Sequence, residues 1–501
     1  MIHRHFDALI GPKALVVAVF LLLAGPLASA APSPSAPPSA GARPDQLAVL
    51  YRTLLAADRV GLDPADYLTP SLDRLLSSGV SDAATAQLLA AAARYAGDLR
   101  RGRMPLASFR RDWAMRPPAF EARAELEAAL AADRLEAWLA ELAPSHPGYL
   151  RLAAEAVRYN QIVAQGGWPS LDATKPLKLG SSADGVQALR RRLQAEGADF
   201  VEPADPRVFD AGLKAAVATY QTTHGLTGTG EANRATLQAL NIRAEDRLAT
   251  LRANLERWRW APRTLPATRV DVNVAAAELQ VYDAGRRTIA MRTVVGRRAD
   301  PTPMFADTIE AVVFNPPWNV PDGIASREIL PKAATDPGYL AREQYIWINQ
   351  GGQRRLQQKA GPKSALGRFK FDMLNSFSVY LHDTPNHAVF AQGARALSHG
   401  CVRLDEPRAL AQWLLGQQGW DAARIDAAVA TGATARVTLD KPVPVYLFYF
   451  TAYVADDGAL NFRDDVYGWD RLATQLARSS PAGVLLAQPS ECFGGAASQP
   501  G

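Results

Sequence analysis

Cysteine and histidine are the scarce residues of this chain. Its 501 residues contain 2 cysteines, Cys401 and Cys492, and 7 histidines. So few cysteines exclude a disulfide framework and a cysteine-rich zinc module. A strong charge excess is also missing: 55 Lys+Arg against 50 Asp+Glu leave a net +5. That balance is too mild and too evenly spread to indicate nucleic acid as a partner. It suits a surface that meets an acidic polymer as well as one that meets nothing. Long hydrophobic runs are lacking as well. The run Ala14–Ala24 has 11 residues, short of the roughly 20 needed to span a bilayer. With 48% hydrophobic and 21% charged residues, collagen, a long coiled coil and wholesale disorder are excluded as the main plan. The length suggests about three domains.

The short apolar run follows Arg4 and Lys13. It leads through Gly25-Pro26 to Ala28-Ser29-Ala30, an A-x-A cleavage pattern before Ala31. Residues 1–30 therefore read as an export signal, with an uncleaved anchor at the inner membrane as the alternative. Either way the body is expected to be soluble and outside the cytoplasm. In an oxidising compartment a free thiol is unusual. Residues 31–43, rich in Pro, Ser and Ala, read as a disordered linker.

From Pro44 to about 170 the apolar spacing is helical, as at Leu47, Leu50, Tyr51, Leu54 and Leu55. Asp82 stands ahead of an Ala/Leu-rich helix as its expected N-cap, and further helices are expected over 122–142 and 148–165. No catalytic cluster falls in this stretch, so it reads as a scaffold. Residues 177–242 offer three helices, at 184–196, 210–224 and 231–240. Phe209, Leu213, Val217 and Tyr220 form an apolar stripe, with Gln221 beside it and glycines in the turns. Residues 243–265 read as a charged connecting helix whose buried face is Leu248, Leu251, Leu255 and Trp258. From Thr268 to about 455 β-branched and aromatic residues alternate with polar ones, the signature of strands. Residues 325–360 are less β-like and read as a lid-like insertion. A C-terminal extension over 456–477 and a flexible tail over 478–501 complete the chain.

Three of the seven histidines crowd around one cysteine: His382, His387, His399 and Cys401. A thiol needs a nearby base or cation to act as a nucleophile near neutral pH. His382 can take the proton, and Asp383 or a backbone carbonyl can fix its tautomer. Gly400 permits the sharp turn that brings the Cys401 N–H toward a bound carbonyl, the geometry of an oxyanion hole. Arg403 suits a substrate carboxylate. Three other readings stay open: a buried core thiol, a disulfide between Cys401 and Cys492, and a zinc site of His382, His387, His399 and Cys401.

Residues 177–193 (LKLGSSADGVQALRRRL), 216–230 (AVATYQTTHGLTGTG) and 232–241 (ANRATLQALN) resemble the small peptidoglycan-binding domain of many wall enzymes. The string Ser398-His399-Gly400-Cys401-Val402-Arg403, preceded by His382, resembles the signature of the L,D-transpeptidase catalytic domain. Leu255–Trp260, Val294–Arg297, Asn315–Pro321, Gly361-Pro362, Leu366-Gly367 and His382–Pro385 resemble the long multidomain subfamily of Gram-negative envelopes. Ser364 departs from it, standing where Asn is expected in Gly-Pro-x-Asn-x-Leu-Gly. The resemblance implies a multidomain α+β protein: helical scaffold, three-helix peptidoglycan-binding-like mini-domain and β-rich catalytic domain with a lid-like insertion.

The resemblance further implies that Cys401 attacks the diaminopimelate carbonyl of a tetrapeptide stem and releases D-Ala. A second stem's amine then resolves the thioester into a 3→3 cross-link. His382 would be base and acid, His399 and Gly400 would shape the oxyanion loop, and Asp383 would orient the base. Arg403, Trp318, Asn319 and Tyr380 would touch substrate. Acylation of Cys401 by carbapenems is implied too. No metal or organic cofactor is called for. The expected partners are peptidoglycan stems and glycan, the expected place is the periplasm, and a monomer is expected. Hydrolysis of the same thioester, attachment of a protein lysine, exchange of free D-amino acids, and an inert wall-binding scaffold are the rivals.

Overall fold

The computed structural model describes residues 42–77 and 81–479. The expected export signal, nearly all of the expected linker, and the expected tail with Cys492 lie outside the described residues. Among the described residues no helix is long and apolar enough to cross a membrane.

The N-terminal region is helical. Pro44–Leu55, Asp82–Arg101, Ala122–Ala131, Leu135–Ala140 and Pro147–Ala164 are its main helices. Prolines at the first position start two of them, where the missing N–H costs nothing. Leu50, Leu54, Leu88, Tyr95, Leu99 and Trp138 pack into one apolar core. The N-cap of the long helix is Ser81, not Asp82. The Ser81 hydroxyl accepts from the Ala84 N–H at 3.2 Å, and Asp82 is the first helical residue. The expected helix over 122–142 is interrupted, with Asp133 in the left-handed region at φ 51°.

The mini-domain holds three helices, Asp184–Ala195, Ala211–Thr223 and Arg234–Leu240. Asp210 and Asn233 cap the second and third. The third therefore starts later than the spacing suggested, because residues 225–232 form a turn. Gln221, fully buried, organises that turn. Its Oε1 accepts from the Gly230 N–H, and its Nε2 donates to the Glu231 carbonyl and to Thr236 Oγ1.

The β-rich region from Arg269 on is built around a nine-stranded sheet that closes on itself. Its strands run in the order Ala396–Ser398, Arg286–Gly296, Val402–Leu404, Leu381–His382, Phe369–Met373, Phe305–Phe314, Ala435–Phe448, Arg269–Asn273 and Glu278–Asp283. The last pairs back with Arg286–Gly296. Valines, leucines and phenylalanines from alternate strand positions fill the interior. Helices Pro407–Gly416 and Ala422–Ala430 lie close to their expected places. The strand expected over 443–454 breaks after Phe448, and Ala452–Val454 pairs instead with Leu460–Phe462.

The insertion follows Phe305–Phe314. It carries a three-stranded sheet, Trp318–Asn319, Gln353–Gln358 and Tyr345–Gln350, beside short helices. It is thus more β-rich than its composition suggested. The signal was in the sequence: Gly351-Gly352, both at positive φ, join strands paired from Gln350 to Gln353, the turn a two-residue hairpin requires. Val320, Ala325, Ile329 and Leu356 give the insertion its own small core.

Helix Ala244–Trp260 runs between the N-terminal helical region and the nine-stranded sheet. It is buried on more than the single face its apolar spacing indicated. Arg247, Asn254, Glu256, Arg257 and Arg259 are buried as well, because each has a partner on a neighbouring unit or in its own helix.

Candidate active site

Two short strands build the site. Leu381–His382 and Val402–Leu404 run parallel, with Leu381 opposite Val402 and His382 opposite Arg403. One step back, that register sets Tyr380 beside Cys401. Side chains alternate across a strand, so Tyr380, His382, Cys401 and Arg403 share one face, while Leu381, Val402 and Leu404 fill the core on the other. All four line a cavity of about 740 Å³. Trp318, Asn319 and His399 line it too. His387 stands outside the cavity, 3.7 Å from the Asp383 carboxylate.

His382 is buried. Its Nδ1 lies 2.5 Å from the backbone carbonyl of Asp383. That carbonyl can only accept, so Nδ1 carries the proton and Nε2 has its lone pair free. The orienting group is thus the main chain of Asp383. Its carboxylate is occupied otherwise, accepting from the Arg368 N–H at 2.6 Å and the Thr384 N–H at 2.7 Å. Gly367 makes room for this carboxylate. A Cβ there would come within 2.3 Å of Asp383 Cγ, and the φ of 62° also favours glycine. Ser364, which stands where Asn is expected, is buried. Its hydroxyl donates to the Pro316 carbonyl and accepts from the Leu366 N–H, tying the turn to the loop before Trp318.

The loop bearing Cys401 is held from behind. Gly400 has φ 109°, a conformation that side chains rarely adopt. Its carbonyl accepts from Thr302 Oγ1 at 2.7 Å. Thr302 Oγ1 also accepts from the Gly296 N–H, and the Tyr467 hydroxyl donates to the Gly296 carbonyl at 2.6 Å. The C-terminal extension thereby supports the loop, a role that the sequence did not announce. Ser398 Oγ donates to the Cys401 carbonyl at 2.5 Å and accepts from the Gly400 N–H at 3.1 Å. The Gly400 N–H is therefore committed. Among the described residues the Cys401 N–H has no protein acceptor, so the oxyanion donor expected around Gly400 narrows to Cys401.

Burial sets the protonation states. It drives His382 down to about 3, with the Arg403 charge adding to the effect. It also pushes the Cys401 thiol up, against Tyr380, Lys370 and Arg403, which favour the thiolate. The sulfur is nevertheless partly accessible, at the cavity floor. It contacts the Ser378 carbonyl at 3.8 Å. Among the described residues no hydrogen bond joins His382 to Cys401, so the resting pair is a neutral thiol and a neutral imidazole. Lys370 Nζ sits 4.6 Å from the Tyr380 ring centre, and the Tyr380 and His382 rings meet edge-on at 5.6 Å.

Residues 267–451 match the family described as the L,D-transpeptidase catalytic domain. These residues form an L,D-transpeptidase catalytic domain. Residues 182–240 match a peptidoglycan-binding domain and residues 39–155 a scaffold domain. A Haemophilus influenzae protein named as an L,D-transpeptidase is 36% identical over 217 residues, 40% of this chain and 44% of its own length. The match thus spans less than half of that relative. Solved L,D-transpeptidases include one from Xylanimonas cellulosilytica, 16% identical over 56% of this chain and 98% of its own, with a TM-score of 0.20. Another, from Mycobacterium smegmatis, is 17% identical over 36% of this chain and 58% of its own, with a TM-score of 0.21. Both superpose weakly. Its peptidoglycan-related domains point to the cell wall or periplasm.

The sequence pattern missed Glu328. It comes from the insertion, and its carboxylate lies 2.6 Å from His399 Nε2. Its separation of 71 residues in the chain left no local signal for the contact.

Proposed function

We propose that this chain is a periplasmic L,D-transpeptidase that forms 3→3 cross-links between diaminopimelate residues through a thioester on Cys401. The observation that carries the reading is the single-face row of Tyr380, His382, Cys401 and Arg403 at the floor of a cavity bordered by the insertion. As Sγ attacks the carbonyl carbon of the third stem residue, His382 Nε2 takes the thiol proton. The Cys401 N–H donates to the oxygen that becomes negative. His382 then gives its proton to the departing D-Ala amine, and the C–N bond breaks. In the second half the amine of another stem attacks the thioester carbonyl and loses its proton to His382. Sγ leaves and is reprotonated. An amine competes well with water for a thioester where the site is partly covered. Arg403, Trp318, Asn319 and Tyr380 border the substrate.

The test is incubation of purified full-length chain with tetrapeptide muropeptides, followed by mass spectrometry. Cross-linked dimer with release of D-Ala is expected. Tripeptide monomer without dimer would replace cross-linking by hydrolysis. Cys401→Ser is expected to lose product formation by at least about a thousandfold, the scale of losing a covalent nucleophile, and to keep sacculus binding. Turnover surviving in that variant would refute the nucleophile.

A further inference from the structure

Glu328 lies in a one-turn π-type segment, Ala325–Ile329, within the insertion. Such turns interrupt an α-helix and concentrate at functional sites. Here the segment is fixed from beneath, because Ala325 and Ile329 are buried in the insertion's own core. Glu328 faces away from that core, toward the loop bearing the thiol. Its Oε1 meets His399 Nε2 at 2.6 Å and Arg297 Nη2 at 3.4 Å. Arg297 belongs to the same assembly. Its N–H donates to the Ser398 carbonyl at 2.8 Å, and its Nε donates to Asp300 Oδ2 at 2.6 Å. One carboxylate thus contacts His399 in the turn that presents Cys401 and Arg297 just after the strand beside it.

The His399 hydrogen bond depresses the Glu328 pKa, so the carboxyl is ionised at neutral pH. An ionised carboxylate only accepts, so His399 must carry its proton on Nε2. The contact is then a charge-assisted bond, shorter and stronger than a neutral one. The two ion pairs of Glu328, to His399 and to Arg297, are the ties of this segment: Arg327 and Lys332, its cationic neighbours, form no ion pair among the described residues.

We propose that Glu328 is a positioning residue that fixes His399 and thereby couples the seating of the insertion to the geometry of the Cys401 loop. Glu328 lines the same cavity, but its carboxylate is engaged by His399 and Arg297 rather than by the sulfur. It acts by holding the turn whose N–H groups must aim at the developing oxyanion, where displacement by about 1 Å costs up to a hundredfold in rate. The inference rests on the proposed role of Cys401.

The experiment compares full-length wild type with Glu328→Gln, Glu328→Ala, His399→Ala and the Glu328→Ala/His399→Ala double variant. D-Ala release from tetrapeptide gives kcat and KM, and thermal unfolding gives Tm. Glu328→Ala is expected to lower kcat by about 10- to 30-fold with KM changed less than about threefold, the signature of an interaction expressed in the transition state. Tm should stay within about 2 °C, as for a partly exposed contact. Glu328→Gln keeps an acceptor oxygen for Nε2–H and should retain most of the rate. His399→Ala should match Glu328→Ala, and the double variant should be no worse than either. Losses that multiply, a loss confined to KM, or a loss that follows Tm would each overturn the proposal. Should the wild type release no D-Ala, the proposed function falls instead, and alkylation of Cys401 by a neutral haloacetamide still tests Glu328. The alanine variant should then react at least about threefold faster than wild type, as a loosened loop exposes its thiol, and an equal rate would overturn it.

Discussion

At the scale of single residues, the resting state of Cys401 and His382 decides how the proposed nucleophile would be made. In many thiol enzymes a cation beside the sulfur stabilises a standing thiolate. Here burial acts in the opposite sense on both partners: the thiol is pushed up and the imidazole down to about 3. Thiolate and imidazolium together would be two charges, the imidazolium buried, without a hydrogen bond between them. The proton must therefore move as the substrate arrives. Alkylation of free enzyme by iodoacetamide should rise steadily with pH through and beyond about 9, the ordinary range of a thiol or above. A plateau of reactivity between pH 4 and 8, as a standing ion pair gives, would refute this. The motif around Cys401 was legible because its residues are neighbours in the chain. His382 was legible because its strand ends on it. The choice of the Asp383 carbonyl over its carboxylate, the commitment of the Gly400 N–H, and Glu328 were not, since each depends on distances that spacing alone does not determine.

At the scale of elements, helix Ala244–Trp260 shows where periodicity stops informing. Leu248, Leu251, Leu255 and Trp258 mark one apolar face, and the intervening charges read as a solvated one. In the folded chain those charges are the joints between units. Glu256, 4% exposed, accepts from the Arg103 N–H at 2.6 Å, the Met104 N–H at 3.0 Å and Arg259 Nη1 at 3.0 Å. Arg259 in turn donates to the Val60 carbonyl. Whether a charged face meets water or another element is a long-range fact, invisible in a window of a few turns. Glu256→Ala would strand two backbone N–H groups and a buried guanidinium. Removing one member of a buried pair costs about 3–5 kcal/mol. Denaturant unfolding of the variant should show a loss of that size, and a loss below about 1 kcal/mol would mean that water replaces the carboxylate. The same helix explains why the domain order was readable while the docking was not.

At the scale of the whole molecule, the units are docked rather than strung. The described residues, 42–77 and 81–479, cluster as one compact unit. The mini-domain reaches the C-terminal hairpin through His224, whose ring stacks between Tyr220 at 3.7 Å and Phe462 at 5.3 Å. It reaches the scaffold through Glu196, which accepts from the Tyr159 hydroxyl at 2.8 Å. Burial and the Arg247 charge hold His224 down to about 3, with Arg192 adding to the effect and Glu196 opposing it. In the unfolded chain a histidine titrates near 6.5. Between these values the unfolded state binds the extra proton, so stability rises with pH across that window and falls as pH drops below 6.5. At pH 5 the cost from His224 alone is about 2 kcal/mol, from 1.5 units at 1.36 kcal/mol each. Asp98 and Asp271, raised to about 6 by burial, work in the opposite sense below pH 6, so the raw pH curve mixes both. A difference removes them. His224→Asn keeps a donor for the Tyr220 carbonyl, to which His224 Nδ1 now donates at 2.8 Å, and it cannot titrate. It should be less stable than wild type at pH 7.5 through lost stacking, and the gap should narrow by about 2 kcal/mol at pH 5. Thermal midpoints of the two proteins measured across this range check the claim, and parallel curves would show that His224 does not carry the acid sensitivity of the junction.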